Sequence, residues 1–174
     1  MKKKRILAMI LAVVSCLSLA VSASAASTAR KATDFRDFDR TAWYADAVSA
    51  AVDKGLLYGK SATVIDPNGD MTRAEMAAII NRSFGCYAKA DISKYKDVSK
   101  DKWYFEDVAM AVQMGTYNGR SNSSMAPDAP ITRQEAMTVV ARALELDYDS
   151  YSKAELTQFS DAGKVSNWAM QIGR

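Results

Sequence analysis

The chain repeats itself. Residues 35–84 and 95–144 align without a gap when one is shifted by 60 positions onto the other. Asp37, Trp43, Tyr44, Val48, Ala51 and Val52 fall on Asp97, Trp103, Tyr104, Val108, Ala111 and Val112. Gly55, Gly59 and Pro67 fall on Gly115, Gly119 and Pro127; Thr72, Arg73, Glu75 and Arg82 fall on Thr132, Arg133, Glu135 and Arg142. A third copy opens at Phe159 and Asp161, with Trp168 displaced by one position, and is expected to be truncated, covering 159–174. Periodicity of this kind means that one supersecondary unit was copied and that neighbouring copies bury their apolar faces against one another.

Each copy reads as two helices joined by a long loop, which makes the fold all-α. In the first helix Trp43, Ala47, Val48, Ala51 and Val52 recur at helical spacing and predict one apolar face. Gly55 and Gly115 are placed to end that helix in a left-handed cap. The loop carries the turn formers Gly59, Pro67, Asn68 and Gly69, or Gly119, Pro127 and Pro130. Thr72–Glu75 and Thr132–Glu135 have the T-x-x-E spacing of a capping box, in which hydroxyl and carboxylate satisfy two otherwise orphaned amides. The apolar face of the second helix is expected to be Met76, Ile79, Ile80 and Phe84, with Val139, Val140, Ala143 and Leu144 in the other copy.

Ahead of the copies stands a segment with the three parts of a secretory signal. Lys2, Lys3, Lys4 and Arg5 precede an apolar run from Ile6 to Val21, and Ala23-Ser24-Ala25 forms an A-x-A cleavage site. The run of about 16 residues falls short of the roughly 20 that cross a bilayer, so residues 1–25 read as a cleaved signal peptide rather than a retained anchor. Lipidation at Cys16 is the other alternative, set against the apolar run continuing past it. The formal charge of +3 comes from that segment: without its four cations, 19 basic residues face 20 acidic ones. That balance gives no footprint for nucleic acid. Cys86 is then the remaining cysteine and forms no internal disulfide, so packing must hold the core. The organisation expected is a lead-in over 26–34, copies over 35–84 and 95–144, a linker over 85–94 and a connector over 145–158 holding a helical turn.

The motifs FRDF…W, AVDKG, YGKSATVIDP and MTRAE, followed by YKDV…W, AVQMG, NGRSNSSMAP and ITRQE, resemble the S-layer homology (SLH) repeat. The resemblance implies SLH units packed around a central helical bundle, here an incomplete three-prong arrangement. It implies non-covalent attachment to the bacterial cell surface through secondary cell wall polymers, often pyruvylated, or through peptidoglycan-linked polysaccharide held in grooves between prongs. It also implies the groove residues: Asp37, Trp43, Gly59 and Arg73 in the first copy, Asp97, Trp103, Gly119 and Arg133 in the second. Association with other SLH chains is a further implied partner, as is service as the N-terminal anchor of a larger surface protein or enzyme.

Each of these residues also has a structural reading. An Arg in the first helical turn opposes the helix dipole unless an anion approaches, so Arg73 and Arg133 suit a carboxylate ligand; the alternative is an internal acidic partner. Trp43 and Trp103 read first as core, second as platforms for sugar faces. Asp37 and Asp97 are either caps or acceptors for sugar hydroxyls. Gly59 and Gly119 suit a turn needing positive φ, and Lys60 and Arg120 follow them as loop cations. No cofactor is expected. Asp66-Pro-Asn68-Gly-Asp70 imitates a calcium loop, but Met71 and Ala77 stand where that loop needs Gly and Glu. The chain contains no histidine and no cluster with metal-ligand spacing, and outside the copies too few residues remain for a catalytic domain. The sequence reads as a binding module, not an enzyme.

Overall fold

The structure is a computed structural model that describes residues 30–146 and 153–170. The signal segment with Cys16, and Tyr148 and Tyr151 of the connector, lie outside the described residues. In chain order the α-helices are α1 (Ala45–Asp53), α2 (Arg73–Phe84), α3 (Phe105–Gln113), α4 (Arg133–Ala143) and the short α5 (Asn167–Met170). Short 3₁₀ turns cover Ala32–Asp34, Lys153–Gln158 and Ala162–Lys164. Among the described residues there is no strand, only an isolated antiparallel bridge between Thr72 and Pro130.

The helix ends follow the local chemistry. Gly55 and Gly115 adopt φ of 67° and 77°. Past α1, the amides of Gly55 and Leu56 donate to the carbonyls of Val52 and Ala51; past α3, those of Gly115 and Thr116 donate to Val112 and Ala111. This is the Schellman pattern, which returns bonds to carbonyls the helix leaves unsatisfied. At the starts of α2 and α4 both capping boxes form: the Thr72 and Thr132 amides donate to Glu75 and Glu135 at 2.8 Å each. Gly85 ends α2 with φ of 65°, and its counterpart sixty positions on, Glu145, takes the same left-handed conformation at φ 49°.

The buried faces match the expected ones only in part. Trp43 and Trp103 precede α1 and α3 rather than lying on them, and are 93% and 58% exposed. On α2 the most buried apolar positions are Ala74, Ala77, Ala78 and Ile80, while Phe84 is exposed; on α4 Val139 and Ala143 are buried, but Val140 and, just past the helix end, Leu144 are exposed. A helix buries the face that meets a partner, and the partner of α2 is α3 of the following copy. Alanine at positions 77, 109 and 111 lets those two backbones approach closely. Asn81, 2% exposed, pins the pair by donating to the Asp107 carbonyl at 2.8 Å.

The structural unit is therefore offset from the sequence repeat by half a copy. The main core joins α2 to α3, α4 and the second loop, whereas Ala32, Phe35, Val52 and Ile65 form a smaller cluster under the first copy. Backbone bonds reinforce the joint: the Arg73 and Ala74 amides donate to the carbonyls of Ala129 and Pro127, and the Ile131 amide donates to Met71.

Candidate functional site

Two grooves recur at equivalent places. The floor of the first is a stripe of α2, Glu75, Ala78, Ile79 and Arg82; that of the second is the matching stripe of α4, Glu135, Thr138, Val139 and Arg142. Spacing of i, i+3, i+4 and i+7 places four side chains on one helix face. One wall comes from the loop of the same copy, Tyr58-Gly59-Lys60 or Asn118-Gly119-Arg120. The other wall is a tryptophan from the next copy, Trp103 in the first groove and Trp168 in the second. The cavities measure about 470 and 500 Å³, within the range that holds a small-molecule ligand. Gln134 braces the second groove: its side-chain amide donates to the Ser166 hydroxyl at 3.2 Å and accepts the Ser166 amide at 3.1 Å, two residues ahead of Trp168.

A capping-box carboxylate anchors the charges of each groove. Lys60 Nζ donates to both oxygens of Glu75 at 2.7 Å and to the Asp70 carbonyl at 3.1 Å. Glu135 takes the Arg120 Nε at 3.1 Å and, from below, Arg73 Nη1 at 3.0 Å. Burial raises the affinity of Glu135 for a proton, but bonds from the Thr132 amide and hydroxyl and from Arg120, with the charge of Arg73, outweigh it and hold the carboxyl below its ordinary value. Glu75 is lowered in the same way, burial being outweighed by the bond from Lys60 and the Thr72 amide. Both carboxylates are ionised at neutral pH, and each presents its cation at the groove mouth.

The S-layer homology domain model matches residues 34–77 and 94–137, about half of the chain, in the same 60-residue register. The chain belongs to the S-layer homology domain family. It is 33% identical over 151 residues to the Surface-layer 125 kDa protein of Lysinibacillus sphaericus, covering 86% of this chain and 12% of that protein. It is 29% identical to a Cell surface protein of Thermoanaerobacter kivui, covering 90% and 21%, and 25% identical to an Endoglucanase of Bacillus sp. (strain KSM-635), covering 95% and 18%. The chain thus spans at most about a fifth of the length of these relatives, so none of their whole-protein activities transfers with the likeness.

Of the eight residues singled out in the SLH repeats, four reach a groove wall: Gly59 and Trp103 in the first, Gly119 and Arg73 in the second. Asp37 and Asp97 line neither. The Asp37 carboxylate accepts the Ile65 and Asp66 amides at 2.9 and 2.7 Å, and that of Asp97 accepts the Met125 and Ala126 amides at the same distances. These bonds hold Asp66 and Ala126 in the left-handed region, φ 54° and 52°, just before the loop prolines. The Ile65 amide is the leading cause of the lowered pKa of Asp37; at Asp97 burial opposes the shift and the loop amides outweigh it. Gly59 takes φ 82°, as expected, but Gly119 does not adopt positive φ. What both glycines share is crowding: a Cβ would lie 2.5 Å from the Phe35 or Tyr95 ring of its own copy.

Arg73 is 5% exposed, with Nε donating to the Met125 carbonyl at 3.0 Å and its guanidinium 5.1 Å from the Tyr117 ring centroid. Its acidic partner is Glu135 of the next SLH repeat, not its own Glu75. Arg133, the matching residue, is exposed and lines neither groove. Trp43 stands ahead of the first prong and lines neither groove as well. The groove residues not singled out from the sequence, Glu75, Arg82, Glu135, Arg142 and Trp168, did carry a signal. Glu75 and Arg82 are seven apart on one helix face and both recur unchanged in the second copy.

Proposed function

We propose that this chain holds an exported protein on the bacterial cell envelope without a covalent bond, by binding secondary cell wall polysaccharide in the two grooves. The observation that carries the reading is duplication of one cleft: an arginine two turns along a helix from a glutamate, a glycine-cation loop, and a tryptophan lent by the next repeat. Sugar rings present an apolar C–H face that packs on an indole, and their hydroxyls and acidic substituents suit guanidinium donors. A pyruvate ketal would supply such a carboxylate. Likeness to surface-layer and cell-surface proteins, and to glycan hydrolases through a small share of their length, agrees with an anchor that accompanies different cargoes. Residues 1–25 would direct export and be removed, and no catalytic role is assigned to the described residues.

Sedimentation of the purified chain with cell-wall sacculi tests the proposal. The parent pellets with intact sacculi and stays in solution with sacculi stripped of their secondary polymer, and a Trp103→Ala, Arg142→Ala double variant pellets much less. Equal pelleting of the parent with stripped and intact sacculi overturns it.

Assembly with another SLH chain is a second reading, favoured by one observation. Met137 and Val140 on α4 are 58% and 38% exposed, whereas their counterparts on α2, Ala77 and Ile80, are 1% and 6% exposed beneath α3. An apolar face of that kind is a docking surface for a further helix. Light scattering decides it: a molar mass rising with concentration supports assembly, and a constant monomer mass removes it.

A further inference from the structure

Although built from the same repeat, the grooves differ in chemistry at equivalent positions. The first has Leu57, Tyr58 and Met71 where the second repeat has Tyr117, Asn118 and Ile131. Leu57, Tyr58, Met71 and Ile79 face the first groove together with Trp103, giving it an apolar, aromatic lining. Its cations are engaged, Lys60 by Glu75 just as Arg120 is by Glu135 in the second groove. Lys60 directs its three ammonium donors to Glu75 and the Asp70 carbonyl. Arg82 lies 4.3 Å from the Tyr58 ring centroid and donates to the Leu56 carbonyl at 3.1 Å. Asp66 and Asp70 add two carboxylates to the same rim.

The second groove reverses this balance. Setting aside the arginine common to both floors, the first groove has one cation, Lys60, against Glu75, Asp66 and Asp70. The second has two cations, Arg73 and Arg120, against the single carboxylate of Glu135. Thr138 and Asn118 add a hydroxyl and an amide where the first groove has Ala78 and Tyr58. Arg120 is the exposed member of the pair, with 41% of its side chain accessible against 6% for Arg73, so it is the cation a ligand meets.

We infer that the two grooves are not interchangeable: the second receives the anionic residue of the polymer, through Arg120, and the first receives an uncharged sugar stacked on Trp103 beside Tyr58. The inference rests on the proposed wall-polymer reading and adds a division of labour within it. The anionic group is a carboxylate or a phosphate; both would meet the guanidinium as a pair of oxygens.

Calorimetric titration of the full chain with solubilised wall polymer, at low and high salt, tests it. Arg120→Gln is expected to lose about tenfold in affinity at low salt and to flatten the salt dependence, because exposed charge pairs are screened and neutral contacts are not. Trp103→Ala should lose affinity while keeping the parent's salt dependence, and Lys60→Gln should flatten that dependence far less than Arg120→Gln does. Polymer with its carboxyls amidated, and polymer with its phosphates removed, identify which anion is read: parent and Arg120→Gln converge on whichever preparation lacks it. Arg120→Lys, which keeps the charge, should recover part of the salt dependence. A parent that fails to bind any polymer sinks the anchoring reading and the inference together. A parent that binds while Lys60→Gln and Arg120→Gln flatten the salt dependence equally sinks the inference alone.

Discussion

Two arginines occupy the same place in the same motif and meet different fates. Arg73 is buried, paired to Glu135 at 3.0 Å and seated on the carbonyl of Met125, while Arg133 is exposed. Removing one partner of a buried ion pair costs about 3–5 kcal/mol when the other charge is left alone. Here Arg120 still bonds Glu135, so Arg73→Ala is expected to cost less, about 2–3 kcal/mol. Arg133→Ala should change stability by less than about 0.5 kcal/mol. Urea midpoints of the two variants measure the difference, and equal midpoints would contradict the assignment. The motif was legible in the sequence, but the fate of each arginine was not, because it depends on a loop carbonyl 52 residues away. The aspartates teach the same lesson. Asp37 and Asp97 were visible as a recurring pair, but their acceptors' partners are loop amides 28 and 29 residues on, which no local spacing reveals.

Helix limits were the most readable elements. The capping boxes, and the glycines that end α1 and α3, follow from side-chain chemistry within a few residues, and they stand in the structure as the spacing predicts. Which face each helix buries was read less well. The expected face runs through Met76, Ile79, Ile80 and Phe84; Ile80 is buried, but it shares the core beneath α3 with Ala74 and Ala77, both 1% exposed. Small residues carry little hydrophobic signal but let helices come close, and only the neighbour shows that they are needed. Ala111 sits at the centre of that contact with no exposed surface. Ala111→Val is expected to cost about 1–3 kcal/mol through overpacking. Ala47→Val, in the equivalent helix but at an exposed position outside that core, should cost far less. Thermal and urea unfolding of the pair measure the contrast, and equal losses would count against α2–α3 packing as the centre of the fold.

At the scale of the whole molecule, the carboxyls of Glu75, Asp97 and Glu135 are all held below their ordinary values. Glu135 has its pKa lowered, burial being outweighed by bonds from Thr132 and Arg120 and by the charge of Arg73, and Asp97 is lowered by loop amides against burial. A carboxyl lowered on folding binds fewer protons in the native state than in the unfolded one. Its stabilisation is present above the unfolded value of about 4 and lost as pH falls through the lower folded value. The thermal midpoint should therefore be nearly flat from pH 7 to 5 and fall steeply below pH 4. An Asp97→Asn, Glu135→Gln double variant, less stable at neutral pH, should show a shallower acid slope; a slope equal to the parent's would place the acid sensitivity elsewhere. By itself the sequence determined the copy number in register, the helix caps, the all-α class and the family, because each depends on residues close together or on pattern alone. Tertiary structure decided that the packed unit straddles two repeats. It also decided that a groove is closed by a tryptophan from the next copy and that Arg73 belongs to the interior. Those outcomes depend on which surfaces meet, and a helix face has no meaning as inside or outside until its partner has docked.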